Sequence, residues 1–132
     1  MITRLLIVAA GGGLGAMARY SLGLAAGRLA PNAAWPWGTF AANVLGGLAM
    51  GALVGWLAFR GGAQQETIRL FAAVGVLGGF TTFSSYSLET MLMIERRQYA
   101  LAGAYVVGSV VVALVALFVG LTLARRAFGA PL

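Results

Sequence analysis

Eleven consecutive residues, Gly75-Val76-Leu77-Gly78-Gly79-Phe80-Thr81-Thr82-Phe83-Ser84-Ser85, place three glycines, two phenylalanines and four hydroxyls midway along an apolar segment long enough to cross a membrane. Glycine frees the backbone and hydroxyl side chains compete for its hydrogen bonds, so such a run makes a poor helix. A helix interrupted there exposes amides and carbonyls that hydrocarbon cannot satisfy, and these must face protein, water or an ion. Discontinuous helices at the midplane are a recurring means of ion binding in membrane proteins. The stretch predicts an ion-handling membrane protein whose third helix is broken near its middle.

Other residues could share that chemistry. Asn43 lies well inside a second apolar segment and shares a helical face, at spacing four, with Thr39, Gly47, Gly51 and Gly55. Hydrogen-bond glue on a small-residue seam is the commoner use of such an asparagine. Its amide N–H groups would also suit an anion without a fixed positive charge. Phe80 and Phe83 are three apart and share a face if the chain is helical there. Packing is the usual role of such a pair, yet ring edges carry the positive end of the quadrupole and can face a small anion. Thr81, Thr82, Ser84 and Ser85 add hydroxyl donors beside them. Gly75, Gly78 and Gly79 favour local unwinding, or else form a seam against a neighbouring helix. Unwound carbonyls at the centre of a two-fold dimer could ring a small cation such as Na+. Arg19 falls inside the first segment, where it either snorkels to the interface or lines a vestibule that attracts anions. Tyr105 and Ser109, four apart in the last segment, form a short polar track or bond between helices.

The composition fits a membrane setting. The chain of 132 residues is 61% hydrophobic and 9% charged, against roughly a quarter charged in soluble domains. Its formal charge of +6 comes from nine basic residues, all arginine, against Glu66, Glu89 and Glu95. Apart from Arg19, the arginines sit at segment ends rather than in an aromatic-laced patch, which points to lipid headgroups and away from nucleic acid. Without cysteine or histidine, thiol chemistry and the usual transition-metal ligands are excluded. Each carboxylate falls at or near a segment end, so no paired-acid enzyme is expected. Arg4, the apolar run Leu5 to Ala10 and Ala16-Met17-Ala18 loosely imitate a secretory leader. Six apolar residues before the Gly11-Gly12-Gly13 triplet are too few, and the stretch reads as part of a span.

Four windows, 3–29, 37–59, 68–94 and 99–123, reach the length of about 20 apolar residues that a spanning helix needs. They make one compact membrane domain with short loops. Pro36 suits the first turn of the second helix, and Trp35, Trp37 and Trp56 suit interfacial anchors. Trp37 and Trp56 stand about 28 Å apart at the helical rise, close to the hydrocarbon thickness. Four crossings put Arg4, Arg60, Arg69, Arg125 and Arg126 on the side of the termini, against Arg28, Arg96 and Arg97 on the other. That bias is weak: it slightly favours cytoplasmic termini and permits insertion both ways round. Four short helices enclose little space, and 20 glycines allow close packing, so a homodimer is the natural way to build an interior.

Taken together, Gly11 to Tyr20 (GGGLGAMARY), Pro36 to Gly47 (PWGTFAANVLGG) and Gly75 to Ser85 (GVLGGFTTFSS) resemble the Fluc (CrcB) family of fluoride channels. The resemblance covers nearly the whole chain in order and spacing. It implies a fluoride-selective channel that passively exports fluoride from the cytoplasm, in the inner membrane of a bacterium, built as an antiparallel dual-topology homodimer with two pores. It further implies that Asn43, Phe80 and Phe83 line each pore, with Thr82, Ser84, Tyr105 and Ser109 in a polar track. Carbonyls of Gly75 and Gly78 would hold a structural Na+ at the dimer interface.

Two other classes compete. A small multidrug antiporter is also a four-helix dual-topology dimer, but it needs a membrane-embedded carboxylate for proton exchange. The first span has none, and Glu89 lies toward the end of the third. A non-transporting assembly subunit would leave Asn43 and the hydroxyl cluster without purpose.

Overall fold

The computed structural model describes residues 1–59 and 62–129. Arg60, counted above on the side of the termini, lies outside the described residues. Within them, four helical stretches are long and apolar enough to cross a membrane. The first is α1 (Ile2–Leu29) and the second α2 (Trp37–Leu57). The third crossing is composite: α3 (Gln65–Ile68), a π-helical stretch (Arg69–Leu77), α4 (Gly78–Phe80), and then α5 (Phe83–Glu95). The fourth is α6 (Tyr99–Ala127). Pro36 is the N-cap of α2. Between α5 and α6, Arg97 takes a left-handed φ of 60°. This lets Gln98 N–H reach Met93 O at 2.8 Å and Arg97 N–H reach Ile94 O at 2.9 Å, a closure usually made with glycine.

Two glycine-lined contacts set the layout. The π-helical stretch packs on α1, and α2 packs on α6 along most of its length. A methyl group at Gly11 would overlap the Phe71 carbonyl, one at Gly15 the Val76 carbonyl, and one at Gly79 the Gly12 carbonyl. On the second contact, methyls at Gly51 and Gly120 would overlap the carbonyls of Leu117 and Leu48. The backbones therefore touch, which is how helices associate where lipid removes the hydrophobic drive between them. Gly47 and Gly55, on the face of α2 that carries Asn43, also abut α6.

Trp35, expected at the interface, also makes tertiary contacts. Its ring stacks edge-on against Phe40 and Tyr105 at 5.3 and 5.2 Å, beside a core of Tyr86, Met93, Ala102 and Tyr105. Tyr105 is fully buried.

Adding a methyl group at a backbone contact forces the helices apart. Gly51→Ala is expected to lower the thermal stability of purified protein by about 1–3 kcal/mol. Gly103→Ala, with nothing within 4 Å of the added carbon, should leave the melting curve unchanged.

Candidate functional site

The break in the third crossing falls at Thr81–Thr82, not at the glycines. Both residues are extended, with φ/ψ of −80°/155° and −150°/120°. Gly75 lies within the π-helical stretch and Gly78 opens α4. The reason is packing: Gly75 and Gly79 are pressed on the backbone of α1, and the chain stays helical along that seam, widened to π-helix around Gly75 but not broken. The chain leaves the helix one turn later, where two threonines can satisfy part of the freed backbone themselves.

The freed groups find partners from three directions. Thr81 N–H and its hydroxyl both donate to Leu77 O at 3.0 Å. Thr82 Oγ1 accepts Ser85 N–H at 3.2 Å and so caps α5. Asn43 from α2 closes the remaining gap: its Oδ1 accepts Thr82 N–H at 2.8 Å and its Nδ2 donates to Thr82 O at 3.0 Å. The fixed polarity of the peptide dictates the orientation of that amide. On the opposite side, Arg19 Nε donates to Gly79 O at 3.4 Å.

Beside this bracket lies a cavity of about 260 Å³ lined by Asn43, Thr81, Thr82, Phe83, Tyr86, Ser109, Val110 and Ala113. Every lining side chain is uncharged. The Ser109 hydroxyl is buried there without a hydrogen-bond partner. The second N–H of Asn43 is left over from the bracket. The first-turn amides of α5, at Phe83 and Ser84, have no intrahelical acceptor and sit at the positive end of its dipole.

Asn43, Thr82, Phe83 and Ser109 thus meet in one place. Phe80 does not line that cavity; its half-buried ring packs over Gly46 on α2. The spacing of three between Phe80 and Phe83 loses its meaning, because the extended link separates them onto two helices. Phe83 is 77% exposed, with its ring centroid 5.5 Å from that of Tyr86. The Ser84 hydroxyl is exposed and lies 3.3 Å from Thr82 Oγ1. Tyr105 stands behind the cavity, its ring 5.3 Å from that of Tyr86. Arg19 borders a separate cavity of about 230 Å³ with Tyr20, Gly23, Leu24, Gly38 and Thr39.

Glu89 is the residue the sequence did not reveal. It sits mid-way along α5, where Thr39 Oγ1 donates to its Oε1 at 2.5 Å and Tyr105 Oη to its Oε2 at 2.6 Å. A signal existed: positions 85, 86, 92 and 93 carry no basic residue, so no helical neighbour can pair the acid. Thr39, on Asn43's face, was the accessible partner. Tyr86, whose hydroxyl donates to Val106 O at 3.0 Å, was likewise not anticipated.

A four-span helical bundle with one interrupted crossing and a neutral, donor-lined cavity at the interruption is the architecture of an ion-conducting membrane protein. The CrcB-like protein, Camphor Resistance (CrcB) family matches residues 6–121, and the chain belongs to that family. It is therefore a multi-pass membrane protein. A protein of Phenylobacterium zucineum (strain HLK1) named fluoride-specific ion channel FluC is 65% identical over 125 residues, covering 94% of this chain and 97% of the relative. Relatives of the same name from Caulobacter sp. (strain K31) and Caulobacter vibrioides (strain NA1000 / CB15N) are 58% and 54% identical over 127 residues, 96% of this chain. They are covered over 98% and 99% of their lengths.

Glu89→Gln turns one of the two acceptors into a donor, so either Thr39 or Tyr105 loses the acceptor for its hydroxyl proton. A loss of about 1–3 kcal/mol in unfolding free energy is expected. Thr39→Val should cost less in the Glu89→Gln background than in the parent, a coupling that a double-mutant cycle measures.

Proposed function

We propose that the protein is a fluoride-selective channel that lets fluoride leave the cytoplasm passively across the bacterial inner membrane, and that it is not an enzyme. The observation that carries this is the bracketed break opening on a cavity with an unpartnered Ser109 hydroxyl and no charged lining. The names of the relatives point the same way. An inside-negative potential drives an anion outward with about 2.3 kcal/mol per 100 mV, so no coupled proton is needed.

Fluoride is small and tightly hydrated, and a dry apolar path rejects it unless donors replace its water. The free N–H of Asn43, the hydroxyls of Ser109 and Thr82, and the first-turn amides of α5 are such donors. Ring edges of Phe83 at the cavity and Phe80 across the link complete the shell in this reading, with Ser84 continuing the polar line. Tyr105 acts from behind, because its hydroxyl is committed to Glu89. Neutral donors compensate dehydration without trapping the ion, as conduction requires. Larger halides are excluded because the aromatic-lined path is too narrow for them. The antiporter alternative needs a membrane-embedded acid on the substrate path, and Glu89 does not line the cavity at the break.

Two features support an antiparallel homodimer with two pores. Phe83 and Ser84 are exposed half-way along a spanning stretch, where lipid cannot satisfy a hydroxyl or an amide. Gly78 opens outward, with only Ala73 O near an added carbon, at 3.6 Å. Its carbonyl lacks the usual helical donor, because Thr82 N–H is bonded to Asn43. The Gly75 carbonyl, which accepts Gly78 N–H, lies one turn before it on the same crossing. Two neutral oxygens per chain suit a hard cation but are too few for one, whereas two copies about a two-fold axis supply four. These residues fit a structural Na+ between copies, and its charge would brace the broken helices against each other.

Purified protein in liposomes should release fluoride passively, with chloride release far slower; absence of fluoride efflux from folded dimers rejects the channel. Phe80→Ile and Phe83→Ile should each depress fluoride flux while dimers still assemble, and wild-type flux in both removes the rings from the path. The cysteine-free chain also allows a topology test. Gln98→Cys should react with an impermeant maleimide from both faces of the membrane in comparable amounts, whereas one-sided labelling rejects dual insertion.

A further inference from the structure

We infer that Arg19 is a positioning residue that holds the end of α4, and with it the Phe80–Thr82 link, rather than a source of the field that draws anions inward. This rests on the channel reading above.

Three observations carry it. Arg19 donates through Nε to Gly79 O at 3.4 Å, a contact across 60 residues that ties α1 to the last turn before the break. Gly79 carries no side chain because its α-carbon is pressed on the Gly12 backbone, so its carbonyl can be reached from α1. Among the described residues the ion pair found is Arg4 with Glu66, at 3.6 Å, and Arg19 has no carboxylate to compensate it. Its compensation comes from the carbonyl end of the helical run ending at Phe80, where the backbone dipole is negative.

The geometry forms a clamp. Asn43 grips Thr82 from α2 on one side of the link, and Arg19 grips Gly79 from α1 on the other. Phe80 lies between the two anchor points, so its ring is fixed over Gly46 only while both hold. Arg19 does not line the cavity beside Asn43, so its charge is kept out of the donor set and its influence passes through the backbone. Lysine cannot replace it. The Nε donor lies along the side chain in a planar fork, whereas an ammonium is a point charge at the tip of a flexible stem.

The test compares wild type with Arg19→Lys and Arg19→Gln, reading fluoride flux from liposomes against fluoride concentration and ionic strength, and amide exchange at Thr81 and Thr82. Positioning predicts that Arg19→Lys, with its charge intact, loses about tenfold in maximal flux, equivalent to about 1.4 kcal/mol. Half-saturating fluoride and salt dependence should stay as in wild type, while Thr81 and Thr82 amides exchange faster. Wild-type flux and exchange in Arg19→Lys overturn the inference. So does a loss in Arg19→Gln alone that appears as a raised half-saturating concentration and a flattened salt dependence, which marks a field effect. Failure of both variants to fold makes Arg19 a folding residue and overturns it equally. Wild-type protein without fluoride flux would sink the channel reading itself, and amide exchange would still decide the Arg19 contact.

Discussion

A peptide link that leaves the helix inside a membrane must have its hydrogen bonds met by something other than water, and that requirement organises this molecule. Each unmet group costs several kcal/mol in hydrocarbon. Thr81 returns its donors to Leu77, Thr82 caps Ser85, Asn43 takes both backbone groups of Thr82, and Arg19 takes Gly79 O. The groups left over are sorted by sign. Carbonyls such as that of Gly78 end the first half-helix, and amides at Phe83 and Ser84 begin the second. One break thus leaves carbonyls on one side and amides on the other, with no ionised side chain in the lining of the cavity.

The bracket depends on distance, and distance depends on glycine. Asn43 bonds Thr82 at 2.8 and 3.0 Å, and about half an ångström of added separation would put both contacts outside good geometry. The depth of α2 in the bundle is set by Gly51 and Gly120 against the backbone of the opposing helix, and Gly46 gives Thr81 and Phe80 their space. The seam of α1 on the third crossing fixes the other partner in the same way. Residues remote from any ion therefore control whether the donors converge.

Much of this was legible in the chain. The four spans, the interruption of the third, and the special status of Asn43 and Arg19 all follow from polar groups placed where lipid penalises them. The local readings failed where packing overrode propensity. Gly75, Gly78 and Gly79 looked like the point of interruption because glycine is flexible, yet Gly75 and Gly79 are used for contact, and the chain there widens only to π-helix before breaking at Thr81–Thr82. Phe80 and Phe83 looked like one face because helical spacing was assumed across residues that turned out extended. Glu89 looked terminal because position along the chain was taken for depth, and only tertiary structure shows that two hydroxyls from other helices reach it.

The placement of charge gives the arrangement its logic. A fixed charge about 4 Å from a halide would attract or repel it by about 4 kcal/mol at an effective dielectric of 20, close to a thousandfold in occupancy. Either sign stops conduction, one by trapping and the other by exclusion. Arg19 stands beside the break and Glu89 about two helical turns beyond it, and each is already engaged: the guanidinium with the Gly79 carbonyl, the carboxylate with Thr39 and Tyr105. Both charges are spent on holding helices in register. In the channel proposed above, what would remain for the ion is amides, hydroxyls and ring edges, each weak enough to release what it binds, and their sum would be large only because the backbone holds them together at one break.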